Sequence, residues 1–157
     1  MKVKEDSIIL PLPDDGIISS FQEYCRVELP EEYKEFLKVN NGAIPQTRTF
    51  NQGSREYLIE RFLCLLESPE SDETYGWYDL EVVLSQIDTR LTDDENLVGA
   101  NVIPFAALFA GDFVCLDFRE NTKPSISVWF HEESDDFKPV TIKVAESFSE
   151  FLKMLRE

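Results

Sequence analysis

At 157 residues the chain has the length of one domain, and a domain of that size buries about 68–70% of its unfolded surface, enough to hold a core without disulfides or metal. A hydrophobic fraction of 43% with twelve Phe excludes a disordered chain. The formal net charge of −16 disfavours nucleic acid and anionic membranes and favours a basic partner.

The chain opens on Met1-Lys2-Val3-Lys4-Glu5-Asp6, which is not the pattern of a signal peptide, and no later run is long and apolar enough for a membrane span. Residues 7–12 read as a short strand or an arm. Asp14 or Asp15 is placed to cap a helix running to about Arg26, with Ile17, Phe21, Tyr24 and Cys25 facing inward. A second helix follows Leu29-Pro30. Pro30 suits a first turn, where its missing N–H costs nothing, and Glu31 and Glu32 favour the positive end of the helix dipole. Tyr33, Phe36 and Leu37 make an apolar stripe, and Asn41 or Gly42 is placed to close the helix in a left-handed conformation. Residues 45–55 read as a polar loop. Residues 56–66 read as a strand ended by Pro69. An acidic loop over 68–78 precedes a helix over 79–90, striped by Leu80, Val83, Leu84 and Ile87. Residues 92–96 form a second acidic turn.

From Val102 onward the pattern is β. Residues 112–118 are apolar on both faces, as in a central strand. A turn over 120–124 leads to a strand over 125–131, and 140–144 suggests another. Ser147-Phe148-Ser149-Glu150 forms a capping box opening a last helix, with Phe148, Phe151, Leu152 and Leu155 inward. Helices at both ends of a β region predict an α+β domain, a mainly antiparallel sheet flanked by N-terminal and C-terminal helices, spanning 1–157 as one unit. Cys25, Cys64 and Cys115 are odd in number and sit in apolar stretches, as buried free thiols in a reducing, cytoplasmic setting would.

Leu29, Pro30, Tyr33, Phe36, Leu37, Asn41 and Gly42 together resemble the signature of the SUKH superfamily, which includes a yeast regulator of cell-wall synthesis and many bacterial immunity proteins. Ile103-Pro104-Phe105-Ala106 resembles a strand of that family. Gly111-Asp112 with Val114-Cys115-Leu116-Asp117 resembles its central strand, and Val128 sits in the next. Ser147-Phe148 and Phe151-Leu152 resemble its closing helix. Ala43 departs from the second glycine that often follows Asn-Gly, and the polar run 46–56 resembles an insertion. The resemblance implies a SUKH-like fold and a non-catalytic protein. It implies an immunity protein against a bacterial toxin, often a nuclease, or alternatively a regulatory adaptor in cell-wall or signalling processes.

Chemistry is sparse. The single histidine, His131, stands beside Glu132 and Glu133, but no second His or Cys lies at ligand spacing, so no metal is expected. The glycines are too scattered for a phosphate loop, and no cofactor is predicted. Residues 88–99 lack the Gly and Glu of a calcium loop. Asp117, inside an apolar strand, requires a partner such as an arginine or backbone N–H groups if buried.

Charge is the stronger signal. Between Phe62 and Phe118 stand twelve acids and one base, Arg90, and the loop 132–136 adds four more acids. A basic toxin domain is the expected partner, with no nucleic acid and no membrane, and the protein itself a monomer or weak homodimer. The predicted contacts are Glu70, Asp72, Glu73, Trp77, Tyr78, Asp79, Asp93, Asp94, Glu132, Glu133 and Asp135. Trp77 and Tyr78 are either interface anchors or core residues under the loop.

Overall fold

The computed structural model describes residues 1–156, and its chain order follows the hydrophobic pattern closely. Helix α1 spans Asp15–Cys25, and Asp14 caps it by accepting from the Ile17 N–H. Helix α2 spans Glu31–Asn40 with Pro30 at its N-cap. Six strands follow: β1 Thr49–Gln52, β2 Arg55–Phe62, β3 Val102–Leu108, β4 Phe113–Asp117, β5 Ser125–Trp129 and β6 Thr141–Ala145. Helix α3, Leu80–Ile87, lies between β2 and β3, and α4, Phe148–Met154, follows β6. The strands form one antiparallel sheet in sequence order β1-β2-β3-β4-β5-β6. The fold is therefore the expected α+β architecture.

Strands β3, β4 and β5 are buried along most of their length, which is why they read as continuous apolar runs. Pro104 sits inside β3 without an N–H to give, and the register shifts between Pro104 and Ala106. Helices α2 and α4 pack on the sheet through an aromatic cluster. Tyr33 meets Phe105 and Phe148 at 5.8 and 5.1 Å, Phe36 meets Phe62 at 4.8 Å, and Phe151 meets Phe50 and Phe105 at 5.0 and 5.7 Å. Most of these pairs are edge-to-face, the arrangement the ring quadrupoles favour. Ser147 caps α4 by accepting from the Glu150 N–H, while the Glu150 carboxylate accepts from the Glu146 N–H.

Several local expectations change. The polar run 46–56 is not a loop, because β1 lies within it and forms a hairpin with β2. Phe50 is its one large apolar residue and is wholly buried, stacked on Tyr57 at 5.2 Å. Arg156 pairs with Thr49 on the other edge of β1, so a partner 107 residues away completes a strand that local pattern does not announce. Residues 7–12 are an arm, not a strand: Glu5–Ser7 is a 3-10 turn and Ile9 plugs into a pocket with Cys64 and Leu66. On α1 the inward stripe is Ile18, Phe21 and Cys25, while Tyr24 is 44% exposed. Leu155 is half-buried beyond the end of α4.

The end of α2 is where distant segments meet. Asn41 is buried, and its side chain reproduces the pairing of a strand residue. Its Nδ2 donates to the carbonyls of Ile9 at 3.0 Å and Leu65 at 3.4 Å, and its Oδ1 accepts from the Leu65 N–H at 2.7 Å. Its carbonyl accepts from the Ile9 N–H at 2.8 Å. Gly42 takes the left-handed conformation, φ 66°, and a Cβ there would lie 2.4 Å from Ile9 Cδ1 and 2.9 Å from Cys64 Cβ. Asn-Gly is thus a helix stop and a junction at once. Asn41→Ala should lower unfolding free energy by about 2–4 kcal/mol, since it orphans buried backbone groups on two segments. A urea titration showing less than about 0.5 kcal/mol would refute the junction's importance.

Tyr33 presents the opposite case. Its ring is core, but its buried hydroxyl has no hydrogen-bond partner among the described residues, and burial raises its pKa strongly. Tyr33→Phe should therefore raise stability by about 0.5–1 kcal/mol, measured in the same titration, and a loss of that size would reveal a partner for the hydroxyl.

Candidate protein-docking surface

The expected contact residues fall into two groups at opposite ends of α3. Eight helical residues, Leu80–Ile87, span about 12 Å at 1.5 Å per residue. Glu70, Asp72, Glu73, Trp77, Tyr78 and Asp79 lie before the helix, and Asp93, Asp94, Glu132, Glu133 and Asp135 lie beyond its C-terminal end.

The first group sits on a loop that is acidic but stiff. Pro69–Ser71 and Gly76–Tyr78 are 3-10 turns. Asp72 Oδ1 accepts from the N–H groups of Thr74 and Tyr75 at 3.1 and 2.8 Å. Gly76 is packed so closely that a Cβ would lie 2.3 Å from the Pro69 carbonyl oxygen. The loop is tied to the end of β2 by the Cys64 N–H donating to Tyr78 O and the Leu80 N–H donating to Cys64 O, both at 2.8 Å. Arg61, buried on β2, holds it from beneath. Its guanidinium carbon lies 5.3 Å from the Tyr75 ring centre and 5.0 Å from that of Tyr78. Its Nε donates to Gly42 O at 2.8 Å and its Nη2 to Ser7 O at 2.9 Å.

Trp77 and Tyr78 part company on this loop. Trp77 is 69% exposed, whereas Tyr78 is half-buried against Arg61 and donates its hydroxyl proton to Glu60 Oε1 at 3.2 Å. Asp79 is removed from the contact set: it is 1% exposed and caps α3. Its Oδ1 accepts from the N–H groups of Glu81 and Val82, and its Oδ2 from that of Leu66 at 2.8 Å. Burial raises its pKa against the opposing pull of those bonds. Glu70 and Glu73 are exposed and Asp72 is half-buried. Sequence reasoning missed Tyr75 and Arg61. The signal available was a third aromatic in the same loop and an arginine directly before the apolar run 62–66.

The second group is assembled from two loops. The Phe137 N–H donates to Thr89 O at 2.7 Å, and Thr89 Oγ1 donates to Asp136 Oδ1 at 2.9 Å. Arg90 donates to the carbonyls of His131 and Ser134 while lying over the Trp129 ring at 5.3 Å. Trp129 Nε1 donates back to Arg90 O at 2.9 Å. All five predicted acids here are exposed. His131 Nδ1 lies 3.3 Å from Arg90 Nη1, facing a cation. Among the described residues, no three His, Cys, Asp or Glu side chains are grouped to hold a metal.

Asp117 has the arginine partner its burial requires. Arg119 grips it bidentately, Nε to Oδ1 at 3.0 Å and Nη2 to Oδ2 at 2.7 Å, and Ser127 Oγ adds a third bond at 3.2 Å. Arg119 Nη2 also donates to Thr141 Oγ1 at 2.7 Å, so the pair joins β4, β5 and β6. The three free thiols are buried; burial pushes those of Cys25 and Cys64 up to about 12 and raises that of Cys115 well above its ordinary value, so none is a thiolate near neutral pH.

Burial raises the Asp117 pKa, but the bonds and charge of Arg119 outweigh it, and the net value lies below the ordinary 3.8. A depressed folded pKa contributes stability that is present above the unfolded value and lost as pH falls through the folded one. Asp117→Asn should therefore lower stability at neutral pH and flatten its decline in acid. Urea midpoints taken between about pH 2 and pH 7 test this, and an acid limb as steep as that of the unsubstituted protein would refute it.

The family model SUKH_6, described as SMI1-KNR4 cell-wall, matches residues 15–152. That span runs from the start of α1 into α4 and includes all six strands. No curated protein matches the chain. No helix among the described residues is long and apolar enough to cross a membrane.

Proposed function

The chain belongs to the SUKH superfamily through its SMI1-KNR4 branch, and from that premise we propose that it is a non-catalytic immunity protein that neutralises a bacterial toxin by occlusion. The observation that carries this reading is Trp77, 69% exposed on a loop whose backbone is held by the Asp72 carboxylate and by bonds to Cys64. An exposed indole on a stiff support forms an anchor at little ordering cost. Around it, Glu67, Glu70 and Glu73 are exposed carboxylates.

Such a patch complements a cleft that is basic because it holds phosphates, as a nuclease active site must. Charge steers the encounter, Trp77 holds the complex, and the body of the domain excludes substrate. The protein acts where its toxin would otherwise work, in the cytoplasm.

The word cell-wall in the family description supports a second reading, in which the same surface serves a regulatory adaptor. The two readings differ in partner. Capture of the tagged protein from its native host should recover one basic protein in near-equal amount, whose activity this chain abolishes; signalling or envelope-synthesis proteins would support the adaptor.

With that partner in hand, Trp77→Ala should speed dissociation about 30-fold, the equivalent of about 2 kcal/mol. The pair Glu70→Lys and Glu73→Lys should slow association and flatten its salt dependence. Stopped-flow rates at low and high salt separate the effects. Rates unchanged in both variants would remove this loop from the interface.

A further inference from the structure

A groove of about 190 Å³ lies beyond the C-terminal end of α3, and its lining is chemically divided. Leu91, Leu97 and Phe137 supply apolar wall, Asp88, Asp94 and Glu95 supply carboxylates, and no cation lines it. The negative end of the α3 dipole faces the same region, since Asp88 directly follows the helix. An apolar trough with anionic groups matches one kind of side chain: a long aliphatic stem ending in a cation.

Phe137 forms part of the groove's wall. Its φ is 58°, a left-handed conformation rare for a bulky residue, and it is 38% exposed. The N–H bond to Thr89 O and the Thr89–Asp136 bond hold it there. Its placement puts an aromatic wall where a cation would sit, among the carboxylates. Arg26, whose stem packs against Gly99 at one side of this groove, lines a different groove.

We propose that this groove receives an arginine or lysine side chain of a protein partner. The proposal rests on the reading of the chain as a protein-binding module and adds a second anchor point, on the far side of α3 from Trp77. The two points give a basic partner a register, the indole at one end of α3 and a cationic side chain at the other.

The test uses the full chain, labelled with ¹⁵N, and the probe Nα-acetyl-arginine methylamide. Amide shifts at Leu97, Gly99 and Phe137 should saturate with a dissociation constant on the order of millimolar. The norleucine analogue, with the stem but no charge, should leave them unmoved. Phe137→Gly should weaken the probe about threefold while holding or raising the melting temperature. Glu95→Gln, at an exposed position, should weaken it comparably and decides the matter should the first variant not fold.

Equal shifts from the norleucine probe, shifts of the same size around Glu70 and Glu73, or undiminished binding by both variants would overturn the proposal. Agmatine binding a thousandfold more tightly than the capped arginine would assign the groove to a free amine and overturn the protein partner. The probe needs no partner, so its failure leaves the Trp77 loop in place, and an unaltered dissociation rate in Trp77→Ala leaves the probe result intact.

Discussion

The buried amide of Asn41 is the constraint on which the rest of this structure hangs. A single side chain pairs with the backbone of the N-terminal arm at Ile9 and with the segment after β2 at Leu65. Those groups have no strand partner of their own there, and leaving them unpaired in the interior would cost on the order of several kcal/mol. Gly42 then lets the chain turn within van der Waals contact of Ile9 and Cys64. With the junction in place, residues 43–46 run alongside the arm, and the Phe62 N–H donates to Ala43 O at 2.9 Å. The signature helix is scaffold, and its closing dipeptide joins the scaffold to everything around it.

From that junction order passes outward to the candidate docking surface. Arg61 bonds the carbonyls of Gly42 and Ser7 on one side and lies over Tyr75 and Tyr78 on the other. A buried guanidinium needs its donors used, and here backbone carbonyls and aromatic faces use them. The acidic loop consequently stands on a rigid base. An anchor residue is effective when it does not have to be ordered on binding, and Trp77 is held out by bonds that lie wholly within the free protein.

The negative charge does not all lie on the surface. Asp79 and Asp117 are structural acids, one capping α3 and completing the backbone pairing at Leu66, the other clamped by Arg119. The exposed acids on either side of α3, Glu70 and Glu73 before it and Asp93 and Asp94 after it, belong to a negative surface that continues over the N-terminal helices, where Glu31, Glu32 and Glu35 are also exposed.

The class of fold, the helices α1 to α4, the buried strands β3 to β5 and the family are legible along the chain. Each rests on local periodicity or on end signals such as Asp14, Ser147 and Asn-Gly, which act between residues close in the chain. The sequence also determined the sign of the surface, since charges that dense cannot all be buried. Tertiary structure alone decided β1, whose polar residues become a strand only because β2 and Arg156 pair with them. It decided that Trp77 is exposed while Tyr78 and Asp79 turn inward, three neighbours with three different fates. It brought Phe137 into one groove with Leu97 and Asp94, 40 and 43 positions earlier. Burial and side-chain partnership depend on what other segments place nearby, and a linear pattern carries only the part of that information which repeats along one element.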